Sequence, residues 1–249
     1  MDRLIYTAMS GMTDSMTRER VIASNMANAQ TVGFRAEMIY STPVTVKGDS
    51  LEVRALSDGE VHGASMRPGV IDQTGRPLDL ALNGDAMLTV QAEDGSEAYT
   101  RRGDLSVTPS GVLQNGDGRP VMGNGGPITV PPNAIVAITP EGQVMVSNPE
   151  TPDQPATQVD KLKLASPAGS RIGKGLDGLF RVIGGGVLPD DANASLNPGA
   201  LEQSNVSASE VMVQMVQAQR LFDIRTKMIA TAREVDQSGS SLMRITPGA

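Results

Sequence analysis

With 249 residues the chain can form one large domain or two modest ones, and its net charge of −7 argues against a nucleic-acid partner, whose phosphates call for clustered Lys and Arg. It has no cysteine, which excludes disulfides, thiolate catalysis and cysteine-ligated zinc or iron–sulfur centres, and its one histidine, His62, cannot build a multi-histidine metal site. Aromatics make up 2% with no tryptophan, so a core must rest on Val, Leu, Ile and the 14 methionines, side chains that adapt to several different neighbours.

The N-terminal stretch from about Leu4 to Asn28 has no proline and one glycine, Gly11. Ile5, Met9, Met12, Met16, Ala23 and Met26 recur at alternating steps of four and three, with Glu19 as the one polar interruption. This is a helical heptad seam, and Gly33 is its expected stop. Ser10, Thr13, Asp14 and Ser15 deny the same stretch the uninterrupted apolar core of a cleavable secretory signal. No run anywhere reaches the roughly 20 apolar residues of a membrane-spanning helix.

Residues 36–65 read as an extended or β connecting segment, and 66–200 as short β-prone runs. The runs are Leu78–Leu82, Ala86–Gln91, Gly111–Leu113, Ile128–Val130, Ile135–Ile138, Gln143–Val146, Lys161–Ala165 and Leu179–Ile183. Asn83-Gly84, Asp94-Gly95, Asn115-Gly116, Asp117-Gly118 and Glu141-Gly142 separate them, and Asn-Gly and Asp-Gly tolerate the positive φ of tight hairpins. Asn148–Gln158 and Gly184–Pro198 read as loops.

From Ser207 to Met243 the helical pattern returns. Ser207 or Ser209 can cap it, with Glu210 in the first turn. One seam holds Val211, Met215, Ala218, Phe222, Ile229 and Ala232, broken by Arg225; a second holds Leu221, Ile224, Met228, Val235 and Leu242. Two apolar stripes require two partners, and a hairpin with the N-terminal helix covers one. The expected architecture is α+β: paired N- and C-terminal α-helices (1–35 and 201–249), coiled-coil-like, with an inserted all-β, mainly antiparallel domain.

Motifs that imitate catalytic sites fail on context. Gly173, Gly175 and Gly178 satisfy G-x-G-x-x-G but lead into Leu179–Ile183, a strand-like run where a dinucleotide site needs a helix, so they mark a turn. Gly184-Gly185-Gly186 lacks the Lys-Ser/Thr of a phosphate loop. Glu93-Asp94 and Asp190-Asp191 are adjacent loop carboxylates without the fixed separation that acid–base chemistry uses. His62 sits beside Gly63 in a polar stretch and reads as a solvated loop residue. No serine occupies a G-x-S-x-G elbow. The expectation is a protein that is not an enzyme, with no catalytic residue, metal, cofactor or small-molecule substrate.

The segment Asn25-Met26-Ala27-Asn28-Ala29-Gln30-Thr31-Val32-Gly33-Phe34-Arg35 holds more than a helix end requires. It resembles the N-terminal signature of the flagellar rod, hook and hook-associated family, N-x-A-N-x-x-T-x-G-F-[KR], at Asn25, Ala27, Asn28, Thr31, Gly33, Phe34 and Arg35. Ala98-Tyr99-Thr100-Arg101-Arg102-Gly103-Asp104 is similar to that family's Y-T-R-x-G-[ND] stretch, and Asn205-Val206-Ser207 with Glu210, Met215, Gln219 and Arg220 to its C-terminal helix opening. Two departures are Asp85-Ala86-Met87-Leu88, where the family often has G-F-F, and Leu105 in place of an aromatic. The opening Met1-Asp2-Arg3-Leu4-Ile5-Tyr6 is most similar to proximal-rod members, with the slightly longer distal-rod members as the alternative.

The resemblance implies a structural subunit of the bacterial flagellar basal body, transmitting torque from motor to hook. It implies export through the flagellum-specific type III apparatus, partners among rod and hook-family subunits and copies of itself, and end-on addition with the terminal helices forming the inner tube. Ile5, Met9, Met12, Met16, Val211, Met215, Phe222 and Ile229 are the expected subunit-packing residues. A soluble partner-binding β protein with helical arms is the alternative from a different class.

Overall fold

The computed structural model describes residues 2–45, 55–132, 134–148 and 154–243. Helix α1 (Asp2–Ala27) is followed by strands β1 (Glu37–Thr45), β2 (Ala55–Ala64), β3 (Ile71–Gln73), β4 (Leu80–Leu82), β5 (Met87–Gln91), β6 (Glu97–Thr100), β7 (Leu105–Val107), β8 (Leu113–Asn115) and β9 (Met122–Gly123). Then come β10 (Gly126–Pro127), β11 (Ile135–Ile138), β12 (Gln143–Ser147), β13 (Thr157–Lys161), β14 (Leu164–Ala165), β15 (Ile172–Lys174), β16 (Phe180–Val182), β17 (Leu196–Pro198), β18 (Ala200–Glu202) and helix α2 (Ala208–Met243). The chain is thus a mixed α/β protein with a helix at each end. It divides into two compact units, one of Met1–Ala27, Glu37–His62 and Ser207–Ala249, the other of Asn28–Ala36 and Gly63–Val206.

The first unit holds both helices and the β1–β2 pair. Of the two candidate caps for α2, Ser207 is the one used: its Oγ accepts from Glu210 N at 3.4 Å and its carbonyl from Val211 N at 3.0 Å. Arg225 of α2 donates to the Gly11 carbonyl and Ser15 Oγ of α1, and lies 3.7 Å from the buried Asp14 carboxylate. Asp14, Ser15, Val21, Ile22 and Asn25 form the buried face of α1. The Arg225 that interrupts the seam of α2 therefore meets polar residues on α1, and the contact between the helices is polar at this level.

The second unit is a β domain whose described pairings are all antiparallel. A five-stranded sheet runs β14-β5-β6-β16-β15 and a three-stranded one β11-β12-β13; β3–β18, β4–β17, β7–β8 and β9–β10 are two-stranded. One core cluster gathers Leu80, Leu88, Val90, Leu105, Leu113, Val121, Ile128, Val144, Leu162 and Leu196 among others. A second is built on Met87, Tyr99, Ala165, Phe180 and Leu188. Met87 and Leu105 are completely buried, so aliphatic side chains fill that space.

Several strand boundaries differ from the sequence expectation, each for a local reason. Ile128–Val130 is not a strand: Ile128 N donates to Val121 O and Val130 N to Gly111 O, two different partners instead of one ladder. The expected Gly111–Leu113 strand begins only at Leu113, because Gly111 (φ 85) closes a turn onto Thr108 O. Lys161–Ala165 is split, with β13 pairing to β12 and β14 to β5, as Leu162 N turns to Gly142 O and Lys163 N to Met122 O. The loop expected over 184–198 ends in β17, where Leu196 faces Leu82 and Pro198 faces Leu80. Thr157 and Gln158 belong to β13, while 149–153 lie outside the described residues. His62 falls inside β2 and not in a loop, carried there by a two-stranded ladder that its polar neighbours do not announce.

Candidate functional site

The G-x-G-x-x-G segment is a hairpin: Gly173 lies in β15, Gly175 N donates to Leu179 O, and Gly178 (φ 78) turns the chain into β16. No helix N-terminus follows it to receive a phosphate. Among the described residues, no group of three or more His, Asp or Glu is placed to hold a metal ion.

The 25–35 motif is organised around backbone closure. At the end of α1, Asn25 is buried; its Nδ2 donates to Glu37 O at 3.0 Å and its Oδ1 accepts from Glu37 N at 2.8 Å. This two-way clasp satisfies the start of β1 as a neighbouring strand would. Ala27 is the last helical residue and exposed. Asn28 accepts from Thr31, through its carbonyl from Thr31 N at 3.1 Å and through Oδ1 from Thr31 Oγ1 at 3.2 Å. Gly33 (φ 67) is buried, and its N–H donates to Glu202 O at 2.7 Å. A Cβ at Gly33 would fall 2.4 Å from the Arg101 carbonyl carbon and 2.5 Å from Arg102 N, so backbone geometry and space both demand glycine. Phe34 carries the Lys174 ammonium 3.4 Å above its ring.

Arg35 ends the motif inside the protein. Its guanidinium pairs with Glu202 Oε1 at 2.9 Å and also donates to the Arg67 carbonyl, with both side chains only 2% exposed. Arg101, from the second family-like stretch, donates to Glu202 Oε2 through Nε at 2.9 Å. Its remaining donors reach the carbonyls of Leu82 (2.7 Å), Gly84 (2.9 Å) and Ala86 (2.5 Å). Gly69 N donates to Glu202 Oε1 at 2.8 Å. One carboxylate thus joins two guanidinium groups, and four carbonyls take up most of the donors it cannot serve, which is what makes a buried cluster with excess positive charge tenable. Arg35 Nε is buried and left without a partner among the described residues. Burial pushes the Arg35 pKa below its ordinary value, with Glu202 opposing that shift.

Asn205, from the third family-like stretch, closes the same region. Its Oδ1 accepts from Ala36 N at 2.7 Å, and its Nδ2 donates to the carbonyls of Ser65 (3.0 Å) and Arg67 (2.8 Å). Three stretches far apart in the chain therefore meet in the β unit. Glu202 was not singled out from the sequence, although two arginines in separate motifs require a buried counter-charge somewhere.

The expected subunit-packing residues separate into two groups. On α1, Met9 and Met16 are 61% and 59% exposed and Met12 is half-buried; Ile5 belongs to α1, but its side chain lies outside the described set. On α2, Val211 is buried and Met215, Phe222 and Ile229 are half-buried. These four share the side of α2 that carries Ala218 and Arg225. The opposite side of α2 exposes Met212, Val213, Val216, Ile224, Met228 and Val235, each about half accessible or more. The first stripe is the covered one; of the second, Ile224, Met228 and Val235 lie open, Leu221 is half-buried and the side chain of Leu242 lies outside the described set.

Comparison with known proteins agrees with this organisation. The chain matches the family described as "Flagella basal body rod protein" over residues 5–35. It matches "Flagellar hook protein FlgE/F/G D1 domain" over 81–146 and "Flagellar basal body rod FlgEFG protein C-terminal" over 197–242. It is 40% identical over 252 residues to the flagellar basal-body rod protein FlgF of Salmonella typhimurium, covering 99% of this chain and 100% of the relative. The FlgF of Escherichia coli is 41% identical over 237 residues (93% and 94%), and the rod protein FlgG of Bacillus subtilis 31% identical over 265 (97% and 99%). No helix among the described residues is long and apolar enough to cross a membrane. Full-length identity at this level, joined to matches at both ends and the middle, means that the chain belongs to the flagellar basal-body rod protein family.

Proposed function

We propose that the chain is a structural subunit of the bacterial flagellar basal-body rod, in the proximal position, and that it works by burying its helices against like-shaped neighbours. The observation that carries this reading is the open stripe of α2. Met212, Val216, Ile224, Met228 and Val235 repeat along one side of a 36-residue helix while α1 accounts for the other. A helix apolar on two sides is stable only when both are covered.

In the assembled rod, α1 and α2 pair in coiled-coil fashion as the core of the subunit. Residues 36–65 connect this core to the β domain of 66–200. Ile5, Met9, Met12, Met16 and the α2 stripe meet axial and lateral neighbours, with Val211, Met215, Phe222 and Ile229 supporting the helix pair they build on. Asn25, Ala27, Asn28, Thr31, Gly33, Phe34 and Arg35 set the direction in which the chain leaves α1. The subunit adds end-on, transmits torque from motor to hook, crosses the periplasm as part of the rod, and reaches its place through the type III export apparatus. Its role is mechanical, without catalysis. The distal position is the second reading, favoured by the near-full-length similarity to FlgG.

The test is incorporation. A chain lacking both helices is expected to stay out of purified basal bodies, and Met215→Asp or Phe222→Asp to abolish swimming while the β unit stays folded by circular dichroism. Incorporation of the truncated chain would instead favour a β protein with helical arms, and normal swimming by the Asp variants would remove those residues from assembly.

A further inference from the structure

We propose that Asn124 is the chain's site of spontaneous deamidation, converting to aspartate and isoaspartate while the protein is folded. The chain contains three Asn-Gly pairs, Asn83-Gly84, Asn115-Gly116 and Asn124-Gly125, and the fold treats them differently. Asn83 Nδ2 donates to Ser195 Oγ at 2.9 Å, and its Oδ1 accepts from Asn197 Nδ2 at 3.1 Å, so its amide is held from both ends. Asn115 is 1% exposed, and its Oδ1 accepts from Asp117 N at 3.1 Å and Arg119 N at 2.9 Å. Asn124 is exposed at the two-residue tip between β9 and β10, where Gly123 pairs with Gly126. Among the described residues no hydrogen bond holds its amide, and a Cβ built on Gly125 would meet nothing within 4 Å.

Deamidation needs the side-chain amide to swing over the following backbone nitrogen. The deprotonated Gly125 nitrogen attacks Asn124 Cγ and forms the new C–N bond; the bond from Cγ to the side-chain nitrogen breaks and ammonia leaves. The resulting succinimide then takes up water at either carbonyl and opens to aspartate or isoaspartate. A glycine at the attacking position offers an unhindered nitrogen, and an exposed turn gives the ring room to form. Asn83 and Asn115 must first break their hydrogen bonds, whereas Asn124 has none to break.

The reaction adds a negative charge to a chain at −7. In the isoaspartyl product it also inserts a backbone carbon into a turn whose strands are only two residues each. The product is a substrate for a carboxyl methyltransferase that uses S-adenosylmethionine, the class of enzyme that returns isoaspartate to aspartate.

The experiment ages the full-length chain at mildly alkaline pH and follows each Asn-Gly peptide by mass spectrometry, with methyl transfer by an isoaspartyl carboxyl methyltransferase as a second readout. Asn124 is expected to convert about tenfold or more faster than Asn83 and Asn115, the difference being their restraint. In denaturant the three rates should converge, and Asn124→Gln should remove most of the methyl acceptance of the folded chain. Equal rates at the three sites in the folded protein, or an Asn124 that stays intact through the period in which the unfolded chain converts, would overturn the assignment.

Discussion

The two units of this chain meet the same demand, hiding apolar surface, in opposite ways. In the β unit the side chains of Leu80, Leu88, Leu105, Leu113, Val121 and Leu162 are at most 1% exposed, and the apolar residues that do protrude, such as Val70, Ile135, Val159, Leu176 and Val187, are scattered over separate strands, turns and connections. In the helical unit the protruding residues repeat along one side of α2, and Met9 and Met16 stand out from α1. A scattered exposed leucine is ordinary, whereas a continuous stripe marks a surface made to be covered. The charges differ in the same sense. The β unit encloses the Arg35–Glu202–Arg101 cluster almost completely, while the charged contact of the helical unit, Arg225 with Asp14, is still partly solvated at the arginine. One unit hides most of its apolar surface within a single molecule; the other leaves a row of apolar side chains open.

The sharpest way to break the completeness of the β unit is Glu202→Ala. It strands two buried guanidinium groups, and losing one member of a buried ion pair costs about 3–5 kcal/mol. Chemical denaturation of the full chain should show a large fall in the transition midpoint, and a loss below about 1 kcal/mol would mean the cluster is solvated enough to do without its carboxylate. Next comes Gly33→Ala, which places a Cβ against the Arg101–Arg102 peptide and asks alanine to hold a positive φ. About 2 kcal/mol is expected by the same measurement.

Much of this contrast is legible in the sequence, and the reasons for the rest are physical. Periodicity places α1 and α2 to within a few residues, because a long helix repeats its signal over many turns. Two stripes on α2 with Arg225 as the break are visible, but the partner of Arg225 is not, since Asp14 and Ser15 look like ordinary polar positions of α1. The short strands are harder. Leu196-Asn197-Pro198 carries little β preference and is a strand because β4 offers it a ladder. Ile128–Val130 carries much β preference and is not a strand, because its bonds go to two partners. The motif of 25–35 is recognisable as a string, yet what it does depends on Glu202, a residue 167 positions beyond Arg35 that has no local signature. Tertiary pairing decides these cases, and it is invisible to any window of a few residues.

The helical unit invites the complementary substitution. Ile224→Asp with Met228→Asp removes two residues of the open stripe, 57% and 56% exposed in the single chain. Such surface changes usually alter monomer stability by no more than about 0.5 kcal/mol. The expected outcome is therefore a dissociation of two measurements: an unchanged denaturation curve, with loss of incorporation into basal bodies. If the variant unfolds appreciably more easily, the stripe is part of the subunit's own core and the two units differ less than their exposures suggest.

The smallest effect tests whether the surface of the β unit contributes to its completeness at all. At the turn between β15 and β16, Asp177 pairs with Arg181 through two hydrogen bonds of 3.0 and 2.7 Å. The bond to Arg181 holds the Asp177 carboxyl below its ordinary range, with burial opposing. A carboxyl whose pKa is lower folded than unfolded stabilises above its unfolded value, near 3.9, and loses that contribution as pH falls through the folded value. Asp177→Asn should then cost about 0.5 kcal/mol at neutral pH, the scale of a partly exposed pair. The gap between variant and parent should close as denaturation is repeated at pH values falling from about 5 to below 3, the window set by the unfolded carboxyl and the depressed folded one. A gap that persists in acid would assign the cost to the turn geometry, since Asp177 Oδ1 also accepts from Leu179 N at 3.2 Å, and would remove the ion pair from the account of why this unit stands alone.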